Sequence, residues 1–123
     1  MAAAPRLTLR ERRALRAVMQ QELGVLDEQI DSLQRAFDDI VSANEQANTD
    51  DEHDPEGTTI AFERSQVSAL LRQAHEDRTA LGAAMDRVDG DPGYGVCTEC
   101  GAFIGAERML ALPAASRCIA CAR

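Results

Sequence analysis

Apolar residues recur along the first third of the chain at intervals of three and four. In order they are Leu15, Met19, Leu23 (or Glu22), Leu26, Ile30, Leu33, Phe37 and Ile40. This spacing places them on one face of an α-helix, as the seam of a heptad repeat. Thr8 and Glu11 have the spacing of a capping box at the helix start, and no proline interrupts the pattern before Pro55. We predict a first helix over about 9–46.

A second apolar pattern follows residues 47–57, which are rich in the turn formers Asn, Asp, Pro and Gly. One set of apolar residues recurs every seven positions: Ile60, Val67, Ala74, Leu81 and Val88. The adjoining seam position is occupied by Leu71 and Met85 and is interrupted by Arg64 and Arg78. We predict a second helix over about 58–89, because Gly90 and Pro92 cannot extend it.

Two helices with apolar seams and a short polar connection predict a mostly α fold, built on a long antiparallel coiled-coil hairpin. The hairpin covers residues 1–90 with its tip at about 47–57, and a small four-cysteine finger covers residues 91–123. The alternative is one continuous helix that dimerises with a second chain. Proline and glycine at residues 55 and 57 disfavour it, so we expect a monomer.

The composition fits a narrow seam better than a deep core. The chain has 123 residues and is 45% hydrophobic, but it contains no Trp, one Tyr and three Phe. Such a chain needs a cross-link in addition to its core. No apolar run approaches the length of a signal sequence or a membrane span, so we expect a cytoplasmic protein with no membrane contact.

Charge is unevenly distributed. The net charge is −8, which disfavours sequence-specific DNA binding because phosphate contacts need a basic face. Residues 1–16 nevertheless contain five Arg and one acid, Glu11, whereas residues 36–63 contain nine acids and no Arg or Lys.

The four cysteines form a C-x2-C-x17-C-x2-C pattern: Cys97, Cys100, Cys118 and Cys121. Each pair can aim two thiolates at one ion, and four thiolates complete a tetrahedral Zn²⁺ site that leaves no position for water. We therefore predict one structural zinc ion. The alternatives are two disulfides, a redox pair or unliganded thiols; a reducing cytosol disfavours the first, and the absence of a βαβ pattern disfavours the second.

The acidic turn is the second candidate functional feature. Residues 50–56 read Asp-Asp-Glu-His-Asp-Pro-Glu. Carboxylates at the tip of a stiff hairpin can reach into a channel, where they hydrogen-bond to basic or polar groups or perturb a bound Mg²⁺. The alternative is an ordinary solvated turn, and we assign no metal to His53.

The finger resembles that of the DksA/TraR family. Three segments carry the resemblance: Tyr94-Gly-Val-Cys97-Thr-Glu-Cys100-Gly, Ile104-Gly-Ala-Glu-Arg108, and Pro113 through Cys121. Residues 61–64, Ala-Phe-Glu-Arg, also resemble that family, and the short chain is similar to its TraR-like members. The resemblance implies a non-enzymatic regulator that binds bacterial RNA polymerase. It further implies that the coiled-coil tip enters the secondary channel, often in stress or stringent control, while the finger contacts the channel rim.

Two features depart from the family pattern. The tip signature Asp-x-x-Asp-x-Ala falls on His53, Glu56 and Thr58 in one register, and on Asp51, Asp54 and Glu56 in another. The positions at which family members carry basic ppGpp-binding residues are Ala80, Leu112 and Ala122 here, so we expect no ppGpp site of that kind. Arg108 and Arg117 are the candidate rim contacts. The alternative function is a zinc-stabilised interaction module with a partner other than polymerase.

Overall fold

Two long helices account for most of the protein. The computed structural model describes residues 5–47 and 55–123. Over these residues it contains α1 (Leu9–Ala47), α2 (Pro55–Val88) and a short α3 (Ala106–Ala111), and its only β pairing is an isolated antiparallel bridge between Val96 and Phe103. The predicted mostly α fold is confirmed. Within the same residues, no helix has both the length and the apolar character that crossing a membrane requires.

The capping box at the start of α1 is present. The backbone N–H of Glu11 donates to Thr8 Oγ1 at 3.1 Å, and the Thr8 N–H donates to Glu11 Oε1 at 2.8 Å. The Arg12 N–H also donates to the Thr8 carbonyl at 2.9 Å. Reciprocal bonds of this kind satisfy backbone donors that a helix start otherwise leaves unpaired.

The second helix starts earlier than the sequence indicated. We predicted a start near residue 58, with Pro55, Glu56 and Gly57 in the turn, whereas α2 begins at Pro55. Proline suits the first helical position, because its φ is already helical and the missing N–H would have no partner there. Glu56 and Thr58 thus belong to the first turns of α2, and the remaining tip residues Asp51, His53 and Asp54 lie outside the described residues.

Packing divides the chain into two units. Unit 1 comprises Met1–Gly24 with Thr79–Arg123, and unit 2 comprises Val25–Arg78. Unit 1 contains almost all of the buried side chains of the described residues: Leu7, Leu15, Met19, Leu81, Ala84, Val88, Tyr94, Cys97, Met109 and Pro113. Four of them are predicted seam residues, so both seams are buried in this unit. The predicted domain boundary at residue 90 stays a prediction, because unit 1 includes residues on both sides of it.

Unit 2 is a thinner pairing of α1 with α2. Its predicted seam residues are half-buried, and Ala74 is the one fully buried side chain among its described residues. Arg78, which interrupts the apolar seam, forms an ion pair with Asp27 of α1. Hydrogen bonding to this guanidinium lowers the pKa of the Asp27 carboxyl. A charged residue is therefore tolerated at this seam position because the facing helix provides an exposed partner.

The end of α2 is held by arginines of α1. Arg12 donates from Nη1 to the Val88 carbonyl at 2.7 Å and from Nη2 to the Asp91 carbonyl at 3.1 Å. Arg16 forms an ion pair with Asp89. The bond to Val88 satisfies a carbonyl at the helix end, where intrahelical partners are missing, and the Asp91 carbonyl also accepts from the Tyr94 N–H at 3.1 Å. The arginine contacts also pair the start of α1 with the end of α2, as an antiparallel hairpin requires.

Candidate metal centre

The first cysteine pair lies in a tight loop, which we call knuckle 1 (residues 97–101). The Gly101 N–H donates to the Cys97 carbonyl at 3.0 Å, and the Cys97 N–H donates to the Ala102 carbonyl at 2.8 Å. Gly101 has a φ of +75°, a conformation that favours glycine. The loop therefore turns back on itself directly after Cys100 and brings both thiols to one side.

The second cysteine pair forms knuckle 2 (residues 118–122), which repeats one bond of the first. The Ala122 N–H donates to the Cys118 carbonyl at 2.9 Å, the same four-residue span as in knuckle 1. A separate contact joins knuckle 1 to the residues just before knuckle 2, because the Thr98 N–H and hydroxyl both donate to the Ser116 carbonyl, at 2.9 and 3.2 Å. The two cysteine pairs are thus held face to face by backbone hydrogen bonds.

Buried side chains attach the finger to the rest of unit 1. Met109 of α3 has no exposed surface, and the buried Tyr94 donates its hydroxyl hydrogen bond to the Pro113 carbonyl at 2.9 Å. Gly95, with φ +86°, lies against the buried Leu7 so closely that a Cβ there would be 2.8 Å from Leu7 Cδ1. The finger therefore packs against the segment that leads into α1.

The four thiols meet the geometric requirement of a tetrahedral zinc site. Their Sγ atoms all lie within 4.8 Å of one another, and Cys100 Sγ is 3.7 Å from Cys118 Sγ. Four sulfurs at about 2.3 Å from one zinc ion are separated by about 3.8 Å along each tetrahedral edge. The residues present therefore fit a Zn²⁺ ion, with Cys97, Cys100, Cys118 and Cys121 as the groups that would hold it.

Backbone N–H groups lower the pKa of two of the four thiols. Hydrogen bonds from the N–H groups of Cys118 and Cys100 lower the pKa of the Cys97 thiol to about 6. The Cys121 N–H lowers the pKa of Cys118 in the same way. Each knuckle thus contains one thiol that the backbone stabilises as the thiolate, which is the form that binds metal.

The other two thiols show why a cation is required. The Ala102 N–H favours the Cys100 thiolate, but the neighbouring thiols of Cys118 and Cys97 outweigh it and raise the Cys100 pKa. Contacts with Cys118, Cys100 and Cys97 raise the pKa of Cys121 as well. Four thiolates in this space repel one another, and a divalent ion at their centre reverses that repulsion. When bound, zinc supplies a cross-link and no chemistry of its own, because all four ligand positions are taken.

The predicted rim residues contact each other across the finger. Arg108 Nε donates to the Arg117 carbonyl at 3.3 Å, and Arg117 Nη1 is 3.4 Å from Glu99 Oε1 in an exposed ion pair. The Arg117 guanidinium thus lies beside Glu99 of knuckle 1, and the Arg108 side chain reaches the main chain of Arg117. Of the positions compared with a ppGpp site, Ala80, Leu112 and Ala122 are all exposed.

Arg12 and Asp91 help to hold the finger in place, and neither was singled out from the sequence. Arg12 lies with its guanidinium carbon 6.0 Å from the centre of the Tyr94 ring, while bonding the end of α2. Asp91 accepts hydrogen bonds from Arg87 Nε and from the Gly93 N–H, both at 2.7 Å. The one available signal was that Tyr94 is the only tyrosine and lies just before the first cysteine.

Together the fold and the site define a helical hairpin protein with a structural four-thiolate zinc finger. Residues 92–123 match the family described as the prokaryotic dksA/traR C4-type zinc finger. This segment is thus a finger of the dksA/traR C4 type, in agreement with the predicted resemblance and with the predicted zinc site.

Two further comparisons add little to this assignment. The structure of transcription factor DksA2 from Pseudomonas aeruginosa is similar, with 22% sequence identity and a TM-score of 0.49, over 86% of this chain and 81% of that chain. At this level the likeness carries no argument, and the assignment rests on the finger. No curated protein sequence matches the chain.

Proposed function

We propose that this protein is a non-enzymatic transcription regulator of the DksA/TraR type that binds bacterial RNA polymerase in the cytoplasm. The observation that carries the proposal is the four-cysteine finger at residues 92–123, with its match to the dksA/traR family. The helical hairpin that precedes this finger supports it, since the hairpin is the part that enters the secondary channel in the family that the sequence resembles. We propose that it acts as a monomer, without sequence-specific DNA binding.

The acidic tip is the part that we propose acts on the polymerase. Asp51, Asp54 and Glu56 provide carboxylates between or at the start of the helices, and His53 and Thr58 provide further polar groups. Carboxylates delivered near an active centre compete for basic side chains or for the coordination of Mg²⁺. Either effect changes the lifetime of a promoter complex without any bond being made or broken by the regulator itself.

Arg108 and Arg117 are the proposed rim contacts. The Arg108 side chain donates to the main-chain carbonyl of Arg117, and Glu99 pairs with the Arg117 guanidinium alone. Guanidinium groups bind carboxylates in a defined planar geometry, so this pair suits an acidic site at the mouth of a channel. Because the three ppGpp-related positions carry no basic group, we propose that the protein has no ppGpp site of its own.

Binding should be measured first, with purified polymerase. The protein should bind it and be displaced by another secondary-channel factor. Binding to polymerase that such a factor does not displace would place the contact elsewhere. A lack of binding would favour the alternative, an interaction module with a different partner.

The role of the tip is then tested with the variant Asp51→Ala, Asp54→Ala, Glu56→Ala. It should bind polymerase with nearly normal affinity but lose its effect on promoter-complex lifetime. The matched control replaces three exposed acids of α1, Glu28, Asp39 and Glu45, with alanine and should keep both properties. If the tip variant still regulates as the control does, the tip has no part in the mechanism.

A further inference from the structure

The two units carry opposite net charge. Unit 1 contains nine arginines and seven acids, a net charge of +2, whereas unit 2 contains four arginines and fourteen acids, a net charge of −10. Five of the nine arginines of unit 1 lie within residues 1–16. Positive charge is therefore concentrated within residues 1–16 of a chain that is acidic as a whole.

These five arginines fall into two groups. Arg12 and Arg16 are bonded to the end of α2, as described above, and so contribute to the fold. Arg6, Arg10 and Arg13, which we call the arginine surface, are exposed, and over the described residues none of their side chains has a hydrogen bond or an ion pair. Arg10 and Arg13 are three residues apart on α1, so they occupy neighbouring positions on its surface.

The arginine surface does not help α1 to form. Positive charge near a helix start opposes the helix dipole, and arginines three apart repel each other. The one acid nearby, Glu11, is already bonded to the Thr8 N–H in the capping box. Within the described residues no side-chain ion pair offsets this repulsion between Arg10 and Arg13, so the fold gives no reason for the two charges.

We propose that the arginine surface docks against an acidic patch on a protein partner, and the inference rests on the proposed function in taking that partner to be RNA polymerase. Unpaired guanidinium groups bind carboxylates bidentately and speed the encounter with a negatively charged surface. This contact uses residues at and just before the start of α1, and not the proposed contact residues of the acidic tip or Arg108 and Arg117.

Nucleic acid is the less suitable partner for this surface. Binding to duplex DNA commonly uses roughly six to ten phosphate contacts and a basic face, and three arginines supply far fewer. The net charge of −8 also opposes approach to a polyanion. A localised acidic patch on a protein requires only a local match of charge.

The test compares two variants that each remove two positive charges from exposed helix surfaces. Arg10→Gln, Arg13→Gln removes them from the arginine surface, and Arg35→Gln, Arg72→Gln removes them from unit 2. At about 50 mM salt, where screening is weak, we expect the first variant to associate with purified polymerase about fivefold more slowly than wild type. The second should associate at the wild-type rate, and the difference should shrink to less than about twofold at about 300 mM salt.

Two further measurements separate docking from folding. The melting temperature of Arg10→Gln, Arg13→Gln should equal or exceed that of the wild type, because the charges oppose the helix dipole. The charge-preserving variant Arg10→Lys, Arg13→Lys should recover most of the association rate. A loss of association that is accompanied by a loss of stability and is not recovered by lysine would overturn the proposal.

The outcomes distinguish this inference from the proposed function. If wild-type protein does not bind polymerase, the proposed function fails and the docking contact fails with it. If wild-type protein binds and the arginine-surface variant binds equally fast at low salt, the docking inference alone is wrong. If the variant instead loses measurable binding to a short DNA duplex while binding polymerase normally, the surface recognises nucleic acid and the protein-docking inference is overturned.

Discussion

The hydroxyl of Tyr94 donates a hydrogen bond of 2.9 Å to the main-chain carbonyl of Pro113, and both residues are buried. This bond joins the segment before knuckle 1 to the segment after α3. Because the Pro113 carbonyl is buried away from water, the Tyr94 hydroxyl provides the hydrogen bond that water would otherwise donate. Burial also raises the pKa of Tyr94, which keeps the phenol protonated and able to donate.

Replacing Tyr94 with phenylalanine should therefore weaken the fold without emptying the core. The ring remains, but the Pro113 carbonyl loses its partner, and an unpaired buried acceptor costs about 1–3 kcal/mol. We expect urea unfolding of Tyr94→Phe at neutral pH to show a loss of stability in this range. Phe62→Leu, at a side chain that is 64% exposed, is the control and should change stability little. Equal stability of Tyr94→Phe and wild type would show that the bond contributes nothing net.

Removing zinc should unfold residues 94–123 while leaving the helices of unit 2 in place. The finger has one bridge, one short helix and few buried side chains, whereas a structural zinc ion contributes on the order of 10 kcal/mol to folding. Tyr94 is the only tyrosine and the chain has no tryptophan, so tyrosine fluorescence reports on the finger directly. Titration with a chelator should release one zinc per chain and change that fluorescence.

Hydrogen exchange provides the control for zinc removal. Amides of α2 within unit 2 should keep their protection after chelation, whereas those of Cys97 and Gly101, which are bonded within knuckle 1, should lose it. If the amides of α2 and those of knuckle 1 both kept their protection in fully chelated protein, the finger would fold without metal.

The carboxyl of Asp91 should make stability depend on acid pH. The Arg87 hydrogen bond, and then the Gly93 N–H, hold its pKa below the usual value of about 3.9. A group with a lowered folded pKa stabilises the protein above the unfolded pKa, and the effect is lost as pH falls through the folded value. Asp91→Asn should therefore reduce stability at pH 7, and its difference from wild type should shrink as the pH falls below the unfolded pKa of about 3.9.

The measurement for Asp91 is the difference in unfolding free energy between variant and wild type at each pH, which cancels any effect of acid on zinc binding. Asp86→Asn, at an exposed position of α2, serves as the control. If the difference for Asp91→Asn stays constant from pH 7 to about pH 3, the carboxylate charge is not what stabilises this turn.

Local patterns in the sequence predicted the seams, the capping box and the cysteine site, because each depends on residues within a few positions or on a fixed spacing. The start of α2 was misplaced because Pro55 and Gly57 favour turns by composition, although proline also suits a first helical position. The bond from Arg12 to Val88 joins residues 76 apart in sequence. No local pattern encodes such a contact. The sequence therefore does not distinguish Arg12 from Arg13, although only the Arg12 side chain bonds to the end of α2.

Gly95 packs the finger against Leu7, in the segment that leads into α1. Replacing it with alanine should lower the free energy of unfolding by more than the addition of one methyl group usually does. Its φ of +86° disfavours any other residue, and a Cβ would lie 2.8 Å from Leu7 Cδ1. We expect Gly95→Ala to lower the free energy of unfolding by roughly 1–3 kcal/mol. Gly24, inside α1 with no atom within 4 Å of the position that a Cβ would take, is the control, and Gly24→Ala should raise stability by about 0.5–1 kcal/mol.

Pairing Gly95→Ala with Leu7→Ala separates the clash from the backbone strain. Leu7→Ala alone should destabilise the protein, because this side chain is only 7% exposed. In the double variant the shortened side chain makes room for the new methyl group, so the two losses should sum to more than the measured loss. Strict additivity in urea unfolding would show that the left-handed backbone alone sets the cost, and that Leu7 does not press against Gly95 as the structure indicates.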